Sequence, residues 1–238
     1  GVLYTIKKAL SQLSLIFDVM KGKIRMRIAL VNENSQAPKN ELIFQTLKNV
    51  VEPMGHACDN YGRYGAGDPH ERTYVQAGLL TALLLNSGAA DFVITGCGTG
   101  MGATLACNAF PGVMCGRVND PCDAYLFSQV NYGNAVAMPF SYQFGWGAEI
   151  NLGYVFEKLF GSEPGNGYPE EWAEAEKRNR KVLMDVKKVT HTDFLDVLKN
   201  IDQDFLKGAI AEPSFPELFF ANCKDEKIAG YIREVLEK

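Results

Sequence analysis

The chain has 238 residues, 47% of them apolar and 22% charged, which excludes a disordered or collagen-like chain and suits one large α/β core with or without an appendage. Lys and Arg number 24 against 28 Asp and Glu, a net charge of −4, so no basic excess points to nucleic acid or an anionic membrane. The longest near-apolar run, 77–85, falls far short of the ~20 residues of a spanning helix. Six scattered cysteines without a C-x-x-C pair read as the reduced thiols of a cytoplasmic protein.

In chain order, Leu3, Ile6, Leu10, Leu13, Ile16 and Phe17 follow helical spacing, which predicts an amphipathic helix in a first segment, 1–23. Residues 24–31 are aliphatic and β-branched, a strand. A polar loop, Asn32 to Ala37, leads to Leu42, Ile43, Leu47, Val50, Val51 and Met54, a helix stopped by Pro53 and Gly55. A short strand falls within 56–61. Asp68-Pro69-His70-Glu71 reads as N-cap, first-turn proline and N3 carboxylate, so a helix is predicted over 69–87. The strand 91–95 runs into Gly96-Cys97-Gly98-Thr99-Gly100-Met101-Gly102, and 103–108 is helical, so the glycines occupy a strand-to-helix turn. A fourth strand is predicted over 113–118, and Asp120-Pro121 caps the next helix. A fifth strand covers 134–138, before a helix over 146–160.

Strands joined by single helices are parallel with right-handed crossovers. The prediction for 24–160 is therefore an α/β domain built on a doubly wound, mostly parallel five-stranded sheet, flavodoxin- or Rossmann-like. Gly161 to Tyr168 holds four Gly or Pro and marks a boundary. Beyond it only helices are predicted, over 169–189, 192–200, 202–211 and 225–236. They form a C-terminal helical extension, 161–238, packed on the core or on a partner subunit.

Open parallel sheets bind ligands beyond the carboxyl ends of their strands, commonly between the first and third. Two polar loops take those positions, Asn32-Glu33-Asn34-Ser35 and Gly96 to Gly102, and they should face one another. Glycines admit positive φ and turn backbone N–H groups toward an anion or enolate. The following helix adds about half a unit of positive charge at its start. In that field and near solvent, Cys97 as thiolate is competent as base or nucleophile. A cysteine is commonly a small buried hydrophobe, as assigned here to Cys107 and Cys115. The placement of Cys97 between two glycines at a strand end sets it apart.

Gly98, Gly100 and Ala103 also satisfy G-x-G-x-x-A, but after the third strand rather than the first, and Asp120 some ~20 positions on is accounted for as a helix cap. No phosphate-loop, serine-nucleophile or H-E-x-x-H motif occurs. His56, His70 and His191 are too dispersed for a metal cluster, His70 being assigned to the first turn of its helix. Glu170, Glu171, Glu174 and Glu176 lie on a helix rich in Lys and Arg, a solvated face. No metal or cofactor is expected.

The run from Gly96 to Gly102, followed by Ala106, Asn108, Pro111, Gly112, Asp120-Pro121, Gln129, Asn131 and Asn134, resembles the ribose 5-phosphate isomerase type B and galactose 6-phosphate isomerase family. The resemblance implies a homodimer with active sites at the subunit interface, no cofactor, and aldose–ketose isomerisation of a sugar or sugar phosphate through a cis-enediol. It implies Cys97 as the base that takes the proton α to the carbonyl, Thr99 in ring opening, and Asn131 with the amides of Gly98, Gly100, Met101 and Gly102 around the developing oxyanion. The chain departs from the family at three places. Val130 stands where a ring-opening histidine is usual, Glu33-Asn34 where an Asp-His pair follows the first strand, and Pro139-Phe140-Ser141 where an arginine grips the phosphate. Glu33 is the candidate replacement acid or base, Asn34 a substrate contact, and Arg117 (or Arg63) the candidate anion partner. The competing expectation is a non-catalytic sugar-phosphate or nucleotide-binding protein of the same fold.

Overall fold

β1 (Arg27–Val31) and β3 (Phe92–Cys97) are near-continuous apolar runs buried over almost their whole length, as parallel strands covered on both faces must be. In the computed structural model, which describes residues 25–237, they lie side by side in a five-stranded parallel sheet. β2 (Ala57–Asn60), β4 (Cys115–Arg117) and β5 (Ala135–Pro139) complete it in the order β2-β1-β3-β5-β4. This is the predicted doubly wound α/β fold. Because β5 enters between β3 and β4, the fourth strand lies at the sheet edge and pairs over three residues, shorter than the 113–118 predicted. The helix predicted over residues 2–19 lies outside the described residues.

The connecting helices are α1 (Asn40–Val51), α2 (Tyr74–Asn86), α3 (Met101–Asn108), α4 (Pro121–Leu126) with a π-helical turn Phe127–Asn131, and α5 (Ala148–Phe160). Alternate residues of β1 serve the two cores. Ile28 and Leu30 join Ile43, Leu47 and Phe156 on one face, while Ala29 and Val31 join Leu79, Leu83 and Ala103 on the other, the period-two pattern of a strand. As predicted, Asp120 caps its helix, accepting from Asp123 N at 2.9 Å.

The helix predicted over 69–87 starts later. Thr73 Oγ1 accepts from Gln76 N at 3.2 Å and Gln76 Oε1 from Thr73 N at 2.8 Å, a capping box that begins α2 at Tyr74. Asp68 caps no helix; its Oδ1 takes the His70 N–H at 2.9 Å inside a loop. Trp146 likewise precedes its helix, which Gly147 opens in a left-handed conformation.

Past Tyr168 come α6 (Ala173–Thr190), α7 (Phe194–Asn200), α8 (Gln203–Ala209), α9 (Phe215–Asn222) and α10 (Glu226–Glu237). α9 is an addition to the predicted set. Pro216 reads as a breaker, but it sits in the first turn, where no N–H is needed. Phe194, Leu198, Leu206, Phe215, Phe219 and Ile232 join the same core as Leu79, Leu80, Leu83 and Leu84 of α2. A helix apolar on every side must be covered on every side, and α2 lies between the sheet and these helices.

Candidate functional site

The carboxyl ends of β1, β3 and β5 are neighbours, and the loops that leave them converge. From β3, Cys97 O accepts from Phe140 N at 2.9 Å and Gly98 O from Ser141 N at 3.0 Å, which fastens the glycine turn to the end of β5. Gly100 has φ +74° and opens α3; a Cβ there would sit 3.1 Å from Ala137 O, so both conformation and space require glycine. A Cβ on Gly102 would lie 3.2 Å from the Tyr74 ring, which brings the start of α2 over the turn.

Cys97 ends β3 with its side chain on the α2–α3 side of the sheet and only 9% of its surface exposed. This is less open than the expected near-solvent thiol. The central strand directs the side chain into the core cluster shared with Ala103 and Cys107. Thr99 is exposed; its Oγ1 accepts from Met101 N at 3.3 Å, a local cap for the first turn of α3. Met101 is exposed as well.

The β1 loop faces the glycine turn, as predicted, through a chain of hydrogen bonds. Glu33 accepts from Ser35 N at 2.8 Å and from Ser35 Oγ at 2.5 Å, capping a short 3-10 helix, Asn34–Lys39. Gln36 Nε2 donates to Ser35 Oγ at 2.7 Å and to Ser141 Oγ at 2.9 Å, beside Gly98. Glu33 is thus buried and linked to the turn, with its carboxylate engaged as a cap. Asn34 ties loops together: its Oδ1 accepts from Arg63 Nη1 at 2.7 Å and from Arg72 N at 2.5 Å.

Two cations flank the turn. Arg117, half-buried at the end of β4, donates from Nε to Thr99 O at 2.8 Å and from Nη2 to Tyr142 Oη. Lys39 Nζ donates to Gln36 Oε1 at 2.8 Å and to Phe140 O, and lies 4.8 Å from the Phe144 ring centre. Burial lowers the Lys39 pKa, opposed by the Glu33 charge. The end of β5 carries no cation of its own, yet the β1 loop delivers one there. Sequence reading missed Lys39, Gln36 and Ser141 because their partners are about a hundred positions away.

Asn131 is the other predicted catalytic residue. It is exposed at the end of the π-helical turn and lines an open cleft of about 800 Å³ with Arg117, Asn108, Asn179, Arg180 and Leu183. Arg117 alone among the predicted residues touches both the glycine turn and this cleft. Elsewhere, His70 is in a loop beside Asp68 and Glu212, not in the first turn of the helix as expected. The Glu212 carboxyl is pushed up to about 7, by burial first and then by Asp68.

Residues 28–155 match the family model described as Ribose/Galactose Isomerase. The chain belongs to that family. A second model, described as Ribose-5-phosphate isomerase, matches residues 189–235, within the helical extension of this ribose/galactose isomerase. Among solved structures, a 4-deoxy-L-threo-5-hexosulose-uronate ketol-isomerase complexed with a tartrate is 59% identical, with TM-score 0.87, over 90% of this chain and 100% of its own. A ribose-5-phosphate isomerase from Vibrio parahaemolyticus is 43% identical, with TM-score 0.86, over 89% of this chain and 100% of its own. The type B ribose 5-phosphate isomerase from Trypanosoma cruzi, at 16% identity and TM-score 0.58, covers 68% of this chain and 99% of its own and shares the fold. No curated protein matches the chain. As a member of the ribose/galactose isomerases, the protein is an aldose–ketose isomerase. Among the described residues, no helix is long and apolar enough to cross a membrane.

Proposed function

We propose that this isomerase moves a carbonyl along its substrate through a cis-enediol, with Cys97 as base, and that the substrate is a uronate, anchored by a carboxylate rather than a phosphate. The observation that carries the reading is Cys97 at the end of β3, inside a glycine turn that opens α3. The thiolate takes the proton from the carbon next to the carbonyl. The electron pair forms the enediolate, the hydroxyl proton passes to the former carbonyl oxygen, and the carbon-bound proton is delivered to the former carbonyl carbon as the new carbonyl forms on the carbon that lost it. Negative charge grows on oxygen during this step, and the amides of Gly98 to Gly102 with the positive end of α3 are where it is best placed. Thr99 assists the hydroxyl proton transfers, and Glu33 acts through its Ser35 and Gln36 links rather than as a free carboxylate.

The uronate preference is supported by the 59% identical uronate ketol-isomerase and by the missing family arginine after β5. Arg117 and Lys39 offer a guanidinium and an ammonium at the turn instead. Arg117→Ala is expected to raise KM for a hexosulose uronate about 10-fold or more with a smaller change in kcat, since a hydrogen bond to a charged group contributes roughly 1.5–3 kcal/mol. Steady-state kinetics check this. The substrate test compares a 4-deoxy-hexosulose uronate with ribose 5-phosphate by NMR in deuterated water. Exchange and conversion of the uronate support the reading; exchange of the sugar phosphate alone overturns the uronate assignment. A binding protein would instead be stabilised by such sugars without exchanging any proton.

We further infer a cytoplasmic homodimer that completes each site with Asn131. Supporting this, α6 shows Val182, Val186 and Val189 to solvent at i, i+4 and i+7, and Leu105 of α3 is 75% exposed. Val186→Glu is expected to shift the protein to monomer in light scattering and to lower turnover; an unchanged dimer would remove this face from the interface. All six cysteines are free thiols, in keeping with a reducing compartment.

A further inference from the structure

The loop between β2 and α2 holds a constellation that the isomerase chemistry leaves unused. Asp68, His70 and Glu212 each bring one ligand atom within 4.8 Å of the others. His70 Nδ1 lies 2.9 Å from Asp68 Oδ1 and 3.6 Å from Glu212 Oε2. Tetrahedral ligands at zinc bond lengths of ~2.0–2.1 Å stand about 3.3 Å apart, so these two edges bracket the spacing required.

The ligand atoms are also held in place. Asp68 accepts from His70 N at 2.9 Å and from Tyr64 N at 3.2 Å. Glu212 is 2% exposed, and its Oε1 has no hydrogen-bond partner. A buried carboxylate beside a second carboxylate, with one oxygen left without a donor, leaves that oxygen undercompensated. Arg63 Nε stands 3.8 Å from Asp68 Oδ2, a long ion pair, and the terminal nitrogens of both neighbouring arginines are directed elsewhere. Arg63 donates to Asn34 Oδ1 and Asp68 O, and Arg72 to Asn32 O and Tyr61 O. An open cleft of about 520 Å³, lined also by Tyr64, Pro213 and Ser214, gives water access for the remaining coordination.

We propose that Asp68, His70 and Glu212 bind a divalent transition-metal ion of the zinc type, which staples the C-terminal helices to the loop beside Asn34. One imidazole and two carboxylates suit zinc, cobalt or manganese better than calcium or magnesium, which favour larger all-oxygen shells. The Arg63 and Arg72 charges weaken the site, so its occupancy follows the free metal concentration.

The experiment titrates the full chain, stripped by chelator, with Co²⁺ and reads visible absorption and Tm. One ion per chain is expected, with d–d bands, no thiolate charge-transfer band, and a rise of several degrees in Tm. His70→Gln and Glu212→Gln should abolish both signals. Absence of saturable binding, equal binding by His70→Gln, or a thiolate band that places the ion on cysteine would each overturn the proposal. Should Glu212→Gln fail to fold, His70→Gln decides alone, because that side chain is partly exposed. Neither readout depends on the isomerase reaction.

Discussion

Replacing Cys97 with Ala is expected to lower kcat by about 10³-fold, within the 10²–10⁴ range that a positioned general base supplies, while KM changes little. The base acts only as the proton leaves carbon, so its loss falls on the transition state and leaves substrate binding in place. The fold should survive, because the change removes a single sulfur atom from the last residue of a strand. Exchange of the substrate α-proton with deuterated water isolates the step from product release. Cys97→Ser should be nearly as impaired, since a hydroxyl is a far weaker base than a thiolate at neutral pH. Proton exchange within tenfold of wild type in Cys97→Ala would remove the thiol from the mechanism.

The second large effect belongs to a residue with no side chain. A Cβ on Gly96 would press into the Met138 carbonyl oxygen and the Phe140 ring, well inside van der Waals contact. Relief must come from the backbone of β5 or of the turn, not from a flexible side chain. Gly96→Ala is expected to cost about 3 kcal/mol, at the upper end for overpacking, or a fall in Tm of about 6–12 °C for a chain of this size. Activity should drop further than stability, because a displacement of ~1 Å at a catalytic group can cost about 10²-fold in rate. Gly153→Ala is the internal comparison: its Cβ meets nothing within 4 Å in the interior of α5, and helix propensity favours the change by up to ~1 kcal/mol. Calorimetry on both variants checks the pair. Equal Tm values would show that the turn has more slack than the packing allows.

The glycine turn was legible in the sequence because its logic is local: an apolar strand, an alternating glycine run and a helix follow one another within seventeen residues. The sheet was legible for a similar reason, since single helices between strands leave few topologies open. The start of α2 was misplaced although its signal was present. Thr73 and Gln76 make the reciprocal cap, whereas Asp68-Pro69 imitates one and spends its carboxylate on loop amides. What could not be read was pairing across distance. Lys39 reaches Phe140, Gln36 reaches Ser141, and His70 meets Glu212, contacts set by the sheet order rather than by any local pattern. The near-burial of Cys97 is of the same kind, because it depends on which side of β3 the residue faces once α2 and α3 are docked.

The burial of α2 on all sides has a consequence for how such chains can vary. Leu79, Leu80, Leu83 and Leu84 are all fully hidden, in a core shared by the sheet, α3 and the appended helices. A chain ending at Gly161 would turn an oily ridge of this helix to water, where it would seek another surface and aggregate. Trimming the tail therefore demands simultaneous rewriting of the outer row of α2 with polar residues, and neither change is tolerable alone. Short and long forms of this fold are separated by that coupled step, which makes the tail a committed part of the molecule rather than an ornament.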